Sequence, residues 1–135
     1  MAIEKTLSII KPDAVERNLV GDIIRKIEEQ DLDIIEMKML QLSENESSKF
    51  YEIHREKPFF SKLVDYMTSG KIVIMVLEGD NAINKYRDLI GLTDPNKAKE
   101  GSIRKLYALN TTQNSVHGSD SLENAKREIE FFFNI

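Results

Sequence analysis

The chain has 135 residues, 41% hydrophobic and 31% charged, with no cysteine and a formal net charge of −4. That predicts one folded domain over 1–135, excludes disulfides, thiol nucleophiles and iron–sulfur ligation, and counts against nucleic acid as a partner. The longest apolar run, Ile72 to Leu77, is too short to span a bilayer, and Met1-Ala2-Ile3-Glu4-Lys5 lacks signal-peptide features, so a soluble cytoplasmic protein with no membrane partner is expected.

Thr6-Leu7-Ser8-Ile9 alternates polar and apolar, which predicts a strand from Lys5 to Lys11 stopped by Pro12. Val20, Ile23, Ile24 and Ile27 recur at helical spacing up to about Gln30. Ile35, Met37 and Met39 alternate with Glu36 and Lys38, predicting a second strand to Leu42. Ser43 with Glu46 three residues later is a reciprocal N-cap pattern, and the helix it opens should carry Phe50, Tyr51 and His54. Lys57-Pro58 breaks that helix, and Phe60, Leu63, Val64 and Met67 define another, closed by Gly70.

Ile72 to Leu77 has no polar alternation and belongs in the middle of a sheet covered on both sides. Asn81 to Ile90 reads as a helix ending at Gly91, and Thr93-Asp94-Pro95 as the start of a short helical turn. Ser102 to Gln113 is the least periodic stretch and predicts a long loop. Asn114 to His117 is a candidate fourth strand, too short to assign by pattern. The last helix spans about Ser121 to Phe132. The order of elements gives an α+β or α/β domain with at least three strands.

No glycine-rich phosphate loop, paired-histidine metal motif or calcium loop is present, so bound phosphate would be held by side chains or a helix end. His117 lies in Asn114-Ser115-Val116-His117-Gly118-Ser119-Asp120-Ser121, between a short apolar strand and a helix start. Neutral imidazole there could accept a phosphoryl group or act as a general base; read alone, the position fits a surface histidine beside an N-cap better. His54, Lys11, Arg87 and Arg104 each read singly as a solvated or helix-end charge. Phe60 satisfies a helical apolar face, which leaves Phe59 free as an exposed aromatic platform.

Together these segments resemble the nucleoside diphosphate kinase family. The resemblance is carried by Thr6-Leu7-Ser8-Ile9-Ile10-Lys11-Pro12-Asp13-Ala14-Val15, by Phe50-Tyr51 through His54 to Pro58-Phe59-Phe60, and by Leu77 to Ile83. It continues through Gly101-Ser102-Ile103-Arg104 and the Asn114 to Ser121 segment, in the family's order. It implies a ferredoxin-like α+β fold, a four-stranded antiparallel sheet covered by helices, and a homo-oligomer of four or six subunits. It also implies exchange of a terminal phosphoryl group between ATP or other nucleoside triphosphates and diphosphates, through a phosphohistidine and with Mg²⁺ arriving on the nucleotide. By motif position His117 would be the nucleophile, Glu128 would orient its imidazole, and Ser119 would support Glu128. Lys11, Tyr51, Arg87, Thr93 and Arg104 match phosphate-contacting positions, with His54 beside them. Asn114 and Lys11 would reach the sugar hydroxyls, and Phe59 would stack on the base. The other reading is a nucleotide-binding regulatory module that has lost turnover.

The chain departs from the family pattern at several places. Lys71 stands where the family usually has Pro, and Asp94 where it usually has Asn. Between Lys105 and Gln113, Leu106 replaces a usual Asp, Thr111 a usual apolar residue and Gln113 a usual Arg. The chain stops at Phe131-Phe132-Phe133-Asn134-Ile135, where many relatives continue, so a tail-dependent subunit contact is expected to be missing.

Overall fold

The unbroken apolar run is the spine of the molecule. Residues Ile72–Asp80 form a strand whose first six side chains are all buried. Alternate side chains leave a strand on opposite faces, so Val73, Met75 and Leu77 enter one core cluster while Ile72, Ile74 and Val76 enter another. In the computed structural model, which describes residues 3–134, this strand is β3. Before it come β1 (Ile3–Ile10), α1 (Pro12–Glu16), α2 (Val20–Glu28), β2 (Asp33–Leu40), α3 (Glu44–Phe50), a 3-10 turn (Glu52–His54) and α4 (Phe60–Met67). After it come α5 (Ala82–Ile90), α6 (Ile103–Tyr107), β4 (Val116–Gly118) and α7 (Leu122–Phe133). Met1, Ala2 and Ile135, which belong to the N-terminal stretch read against a signal peptide and to the C-terminal end, lie outside the described residues.

The strand order is β2-β3-β1-β4, with every neighbouring pair antiparallel. This is the ferredoxin-like arrangement the resemblance implies. The cluster holding Ile10 and Met75 takes Ile23 and Ile27 from α2 and Tyr86 and Ile90 from α5. The opposite cluster takes Phe50 from α3, Met67 from α4 and Ile129 and Phe132 from α7. Ser43 caps α3 as its pattern predicts: its hydroxyl accepts from the Glu46 N–H while Glu46 Oε1 accepts from the Ser43 N–H. On the sheet's outer edge β2 carries a bulge between Ile34 and Glu36, and Ile35, Met37 and Met39 remain exposed.

Three local expectations are corrected. Phe50 ends α3, Tyr51 is its C-cap, and His54 closes a separate 3-10 turn instead of riding on that helix. Successive helical side chains diverge by about 100°, and leaving the helix lets both Phe50 and Tyr51 enter one cluster. The stretch expected to contain a long loop has that loop only over 108–113, after an unforeseen helix, α6, whose capping Ser102 hydroxyl accepts from the Lys105 N–H. Pro12 opens α1, a five-residue helix that the strand-ending reading of Lys11-Pro12 did not anticipate. Helices of five residues span little more than one turn, so the apolar period never repeats. The short helical turn expected to open at Thr93-Asp94-Pro95 is present, closed by Lys97 N–H to the Asp94 carbonyl and Ala98 N–H to the Pro95 carbonyl.

Candidate active site

β4 is three residues long and lies against β1, pairing Val116 with Ile10, His117 with Ile9 and Gly118 with Ser8. A Cβ at Gly118 would sit 2.8 Å from Tyr86 Cδ2, so glycine is what lets this strand close onto α5. His117 thus stands near the end of a sheet strand, partly exposed, with the rest of the imidazole held from the α7 side. Its Nε2 lies 2.9 Å from Glu128 Oε1, and Ser119 Oγ donates to the same oxygen at 2.6 Å. The Ser119 hydroxyl accepts in turn from the Leu7 N–H, which fixes it to β1. The Phe50 ring meets the imidazole edge-on, with centroids 5.8 Å apart.

These contacts settle the tautomer. Burial opposes ionisation of Glu128, but hydrogen bonds from His117 and Ser119, together with nearby positive charge, outweigh it and hold its carboxyl below the usual range. An ionised carboxylate only accepts hydrogen bonds, so Nε2 must donate. In neutral His117 the proton therefore sits on Nε2, and Nδ1 keeps the free lone pair. The imidazole is anchored through Nε2, and its opposite nitrogen carries the lone pair.

Cations gather on the neighbouring side. Lys11 follows β1, is nearly fully buried, and donates to Asn114 Oδ1 at 2.8 Å. Burial and the Arg104 charge push its ammonium down to about 7, against an opposing effect of Asp13. Arg104 is fastened by two carbonyls, Nη1 to Gly91 at 3.0 Å and Nη2 to Val116 at 2.9 Å, while its buried Nε has no partner. Burial, chiefly, lowers Arg104 to about 10, which leaves it charged at neutral pH. Arg87, Thr93 and Arg104 line a cavity of about 510 Å³ with Asp88, Gly91, Leu92, Lys97 and Lys99. Four basic side chains against one acidic one make this a locally positive region in an acidic chain. A cavity of about 470 Å³ elsewhere, lined by Ile3, Lys5, Leu122 and Ile129 among others, contains none of the expected site residues.

Tyr51 is buried with its hydroxyl unpartnered, and burial first, then the Glu128 charge, holds it neutral well above its ordinary range. His54 and Phe59 form a separate pair with ring centroids 5.6 Å apart, and Phe59 is 46% exposed, as its platform reading requires. Among the described residues no hydrogen bond or ring contact links that pair to His117.

The nucleoside diphosphate kinase family model matches residues 4–135. A nucleoside diphosphate kinase from a Nitratiruptor species is 60% identical over 131 residues, covering 97% of this chain and 96% of that one. The protein of that name from Histophilus somni (strain 2336) is 56% identical, covering 98% and 94%. The chain belongs to the nucleoside diphosphate kinase family. Among solved structures, the Aquifex aeolicus nucleoside diphosphate kinase superposes with a TM-score of 0.96 at 41% identity, covering 98% of this chain and 96% of that one. The enzyme from Encephalitozoon cuniculi gives 0.95 at 38%, covering 98% and 90%. The chain accordingly moves phosphoryl groups between nucleotides.

Set on that fold, the stretch that departs from the family pattern closes on itself. Asn110 Oδ1 accepts from the N–H groups of Thr112 and Gln113, and the Leu109 N–H donates to the Gln113 carbonyl. The Thr111 carbonyl accepts from Asn114 Nδ2, so the loop still braces a site residue. Phe50, Lys97, Lys99 and Asp13 were assigned no site role from the sequence. The first reads as core and the lysines as solvated charge. Asp13 lies inside the Lys11-Pro12-Asp13 motif, but nothing in the pattern says that its carboxylate is buried.

Proposed function

We infer that His117 carries the phosphoryl group between a nucleoside triphosphate and a diphosphate. Nδ1 attacks the terminal phosphorus; the N–P bond forms as the bond to the bridging oxygen breaks, and the diphosphate leaves with those electrons. A second nucleoside diphosphate then reverses the step. The observation that carries this reading is Glu128 Oε1 on Nε2, which leaves Nδ1 free. A phosphoryl group in flight spreads charge over its oxygens, so the remaining task is positioning and charge stabilisation. Lys11, Arg87 and Arg104 supply positive charge, Tyr51 and Thr93 supply hydroxyls, and His54 stands beside them. The unpaired Arg104 Nε and Tyr51 hydroxyl suit phosphate oxygens. Lys11 and Asn114 serve the sugar hydroxyls, and Phe59 stacks on the base, an interaction indifferent to base identity. Mg²⁺ enters as part of the nucleotide, neutralising its phosphates.

Initial rates against both nucleotides test the shuttle. Parallel double-reciprocal lines are expected, and lines that intersect would exclude a free phosphoenzyme. No observation favours the regulatory reading. The unpaired outer edge of β2, with Ile35, Met37 and Met39 exposed beside it, supports association of copies into a tetramer or hexamer. A sedimentation mass of one subunit would contradict that.

A further inference from the structure

Ser115 sits at φ +72, a left-handed conformation unfavourable for a residue with a Cβ. The Val116 N–H donates to the Asn114 carbonyl at 2.9 Å, closing a three-residue turn about Ser115 of the rare, strained kind. Asn114, which holds Lys11, is on one side of that turn. Val116 and His117 are on the other. Strain kept at such a place requires something that over-determines it.

Asp13 is that fastening. Its buried carboxylate accepts the Ser115 N–H at 3.2 Å on Oδ1 and the Ser115 hydroxyl at 2.8 Å on Oδ2. Tyr66 also donates its hydroxyl to Oδ1, and Arg17 Nη2 donates to Oδ2 at 2.9 Å. The same Arg17 nitrogen reaches the Tyr107 carbonyl at 2.6 Å. Four donors thus hold one carboxylate in place, tying α1, α4 and the end of α6 to the turn. The Lys11 N–H also donates to the Ser115 carbonyl at 2.8 Å, so the two strand ends close on each other around this point.

We propose that Asp13 is a positioning residue for phosphotransfer, whose carboxylate holds the Ser115 turn that sets Asn114 against Lys11 and delivers His117 onto β4. Asp13 touches no substrate; it acts through Ser115. Its sugar-selective consequence rests on the reading of Lys11 and Asn114 as sugar-hydroxyl contacts, while its effect on His117 does not.

The experiment compares ATP with 2′,3′-dideoxy-ATP, reading kcat/KM and the rapid-quench rate of histidine phosphorylation. The proteins are wild type, Asp13→Asn, Asn114→Ala and Asp13→Asn with Ser115→Gly, each with a thermal melt. In Asp13→Asn the preference for ATP should fall about tenfold or more, and phosphorylation by ATP should slow between about tenfold and a hundredfold, as expected for a misplaced reacting group. Glycine takes positive φ at no steric cost, so Ser115→Gly should recover part of both losses. Simple destabilisation would scale the two nucleotides alike.

If Asn114→Ala abolishes the ATP preference but folded Asp13→Asn keeps it, the inference is overturned. If Asn114→Ala leaves the preference intact, the sugar reading fails instead. The phosphorylation rate of Asp13→Asn then decides for Asp13, and an unchanged rate overturns the inference. Should Asp13→Asn not fold, Ser115→Ala deletes only the hydroxyl contact. It should shift both readouts the same way by a few-fold, and wild-type values would again overturn the inference.

Discussion

β3 and β4 flank the same central strand, β1, and are held there by different physics. β3 pairs with neighbours on both sides and buries six consecutive apolar side chains. β4 is three residues long, pairs with one neighbour, and is kept in place by groups distant in sequence: Asp13 on Ser115, Arg104 on the Val116 carbonyl, and Glu128 on His117. The first strand depends on area removed from water, which is additive and tolerant of shape. The second depends on directed polar contacts, each of which sets the position of a reacting group. Stability and chemistry are therefore separable on either side of β1.

Substitutions should break that contrast in order of size. His117→Gln, which keeps shape and leaves the core untouched, should abolish turnover while the melting temperature stays near wild type; nucleotide exchange in a coupled assay checks it. Arg104→Ala removes both the charge proposed to meet phosphate and the clamp on Val116, and kcat should fall about a hundredfold, the scale for one preorganised charge-stabilising donor. Exchange by Arg104→Lys near the wild-type rate would refute the two-carbonyl clamp, because an ammonium cannot reproduce the guanidinium fork.

Lys11 gives a smaller, pH-dependent effect. Its ammonium is lowered to about 7 by burial and Arg104, so the cationic form, which the proposed role in phosphate binding requires, is lost as pH rises through that value. With only that form competent, kcat/KM should fall about fivefold between pH 7 and pH 8, since this parameter reports the free enzyme. Lys11→Arg should flatten the fall. Stability should run the other way. Between about 7 and 10.5 the unfolded chain keeps the proton that the folded chain has released, so the Lys11 contribution to stability rises with pH. On the other side of β1, Ile74→Ala should cost about 2–5 kcal/mol in urea unfolding and leave kcat per folded molecule unchanged.

The same contrast explains what could be read before folding was seen. The Ile72 to Leu77 run, the period of α2 and the Ser43–Glu46 cap are local signals, and each appears where its pattern puts it. α1 and α6, with five residues each, are too short for any period to register. The family resemblance named His117, Glu128 and Ser119 together, and the fold joins those three by hydrogen bonds, because motif order survives without geometry. They could not show that Asp13 is buried. An acidic residue beside a proline looks like surface charge until Ser115, Tyr66 and Arg17, up to 102 positions away, are brought to it. Nor does an apolar alternation announce that Met37 and Met39 stay exposed, since that depends on β2 being the outer strand.

The central claim is that β4 presents His117 Nδ1 as the phosphoryl carrier. Brief incubation of the purified protein with Mg²⁺ and γ-labelled ATP, followed by denaturing separation, tests it directly. Stoichiometric, acid-labile label is expected, discharged by added nucleoside diphosphate and absent from His117→Ala. A folded, nucleotide-bound wild-type protein that stays unlabelled, or label that persists in His117→Ala, would contradict it.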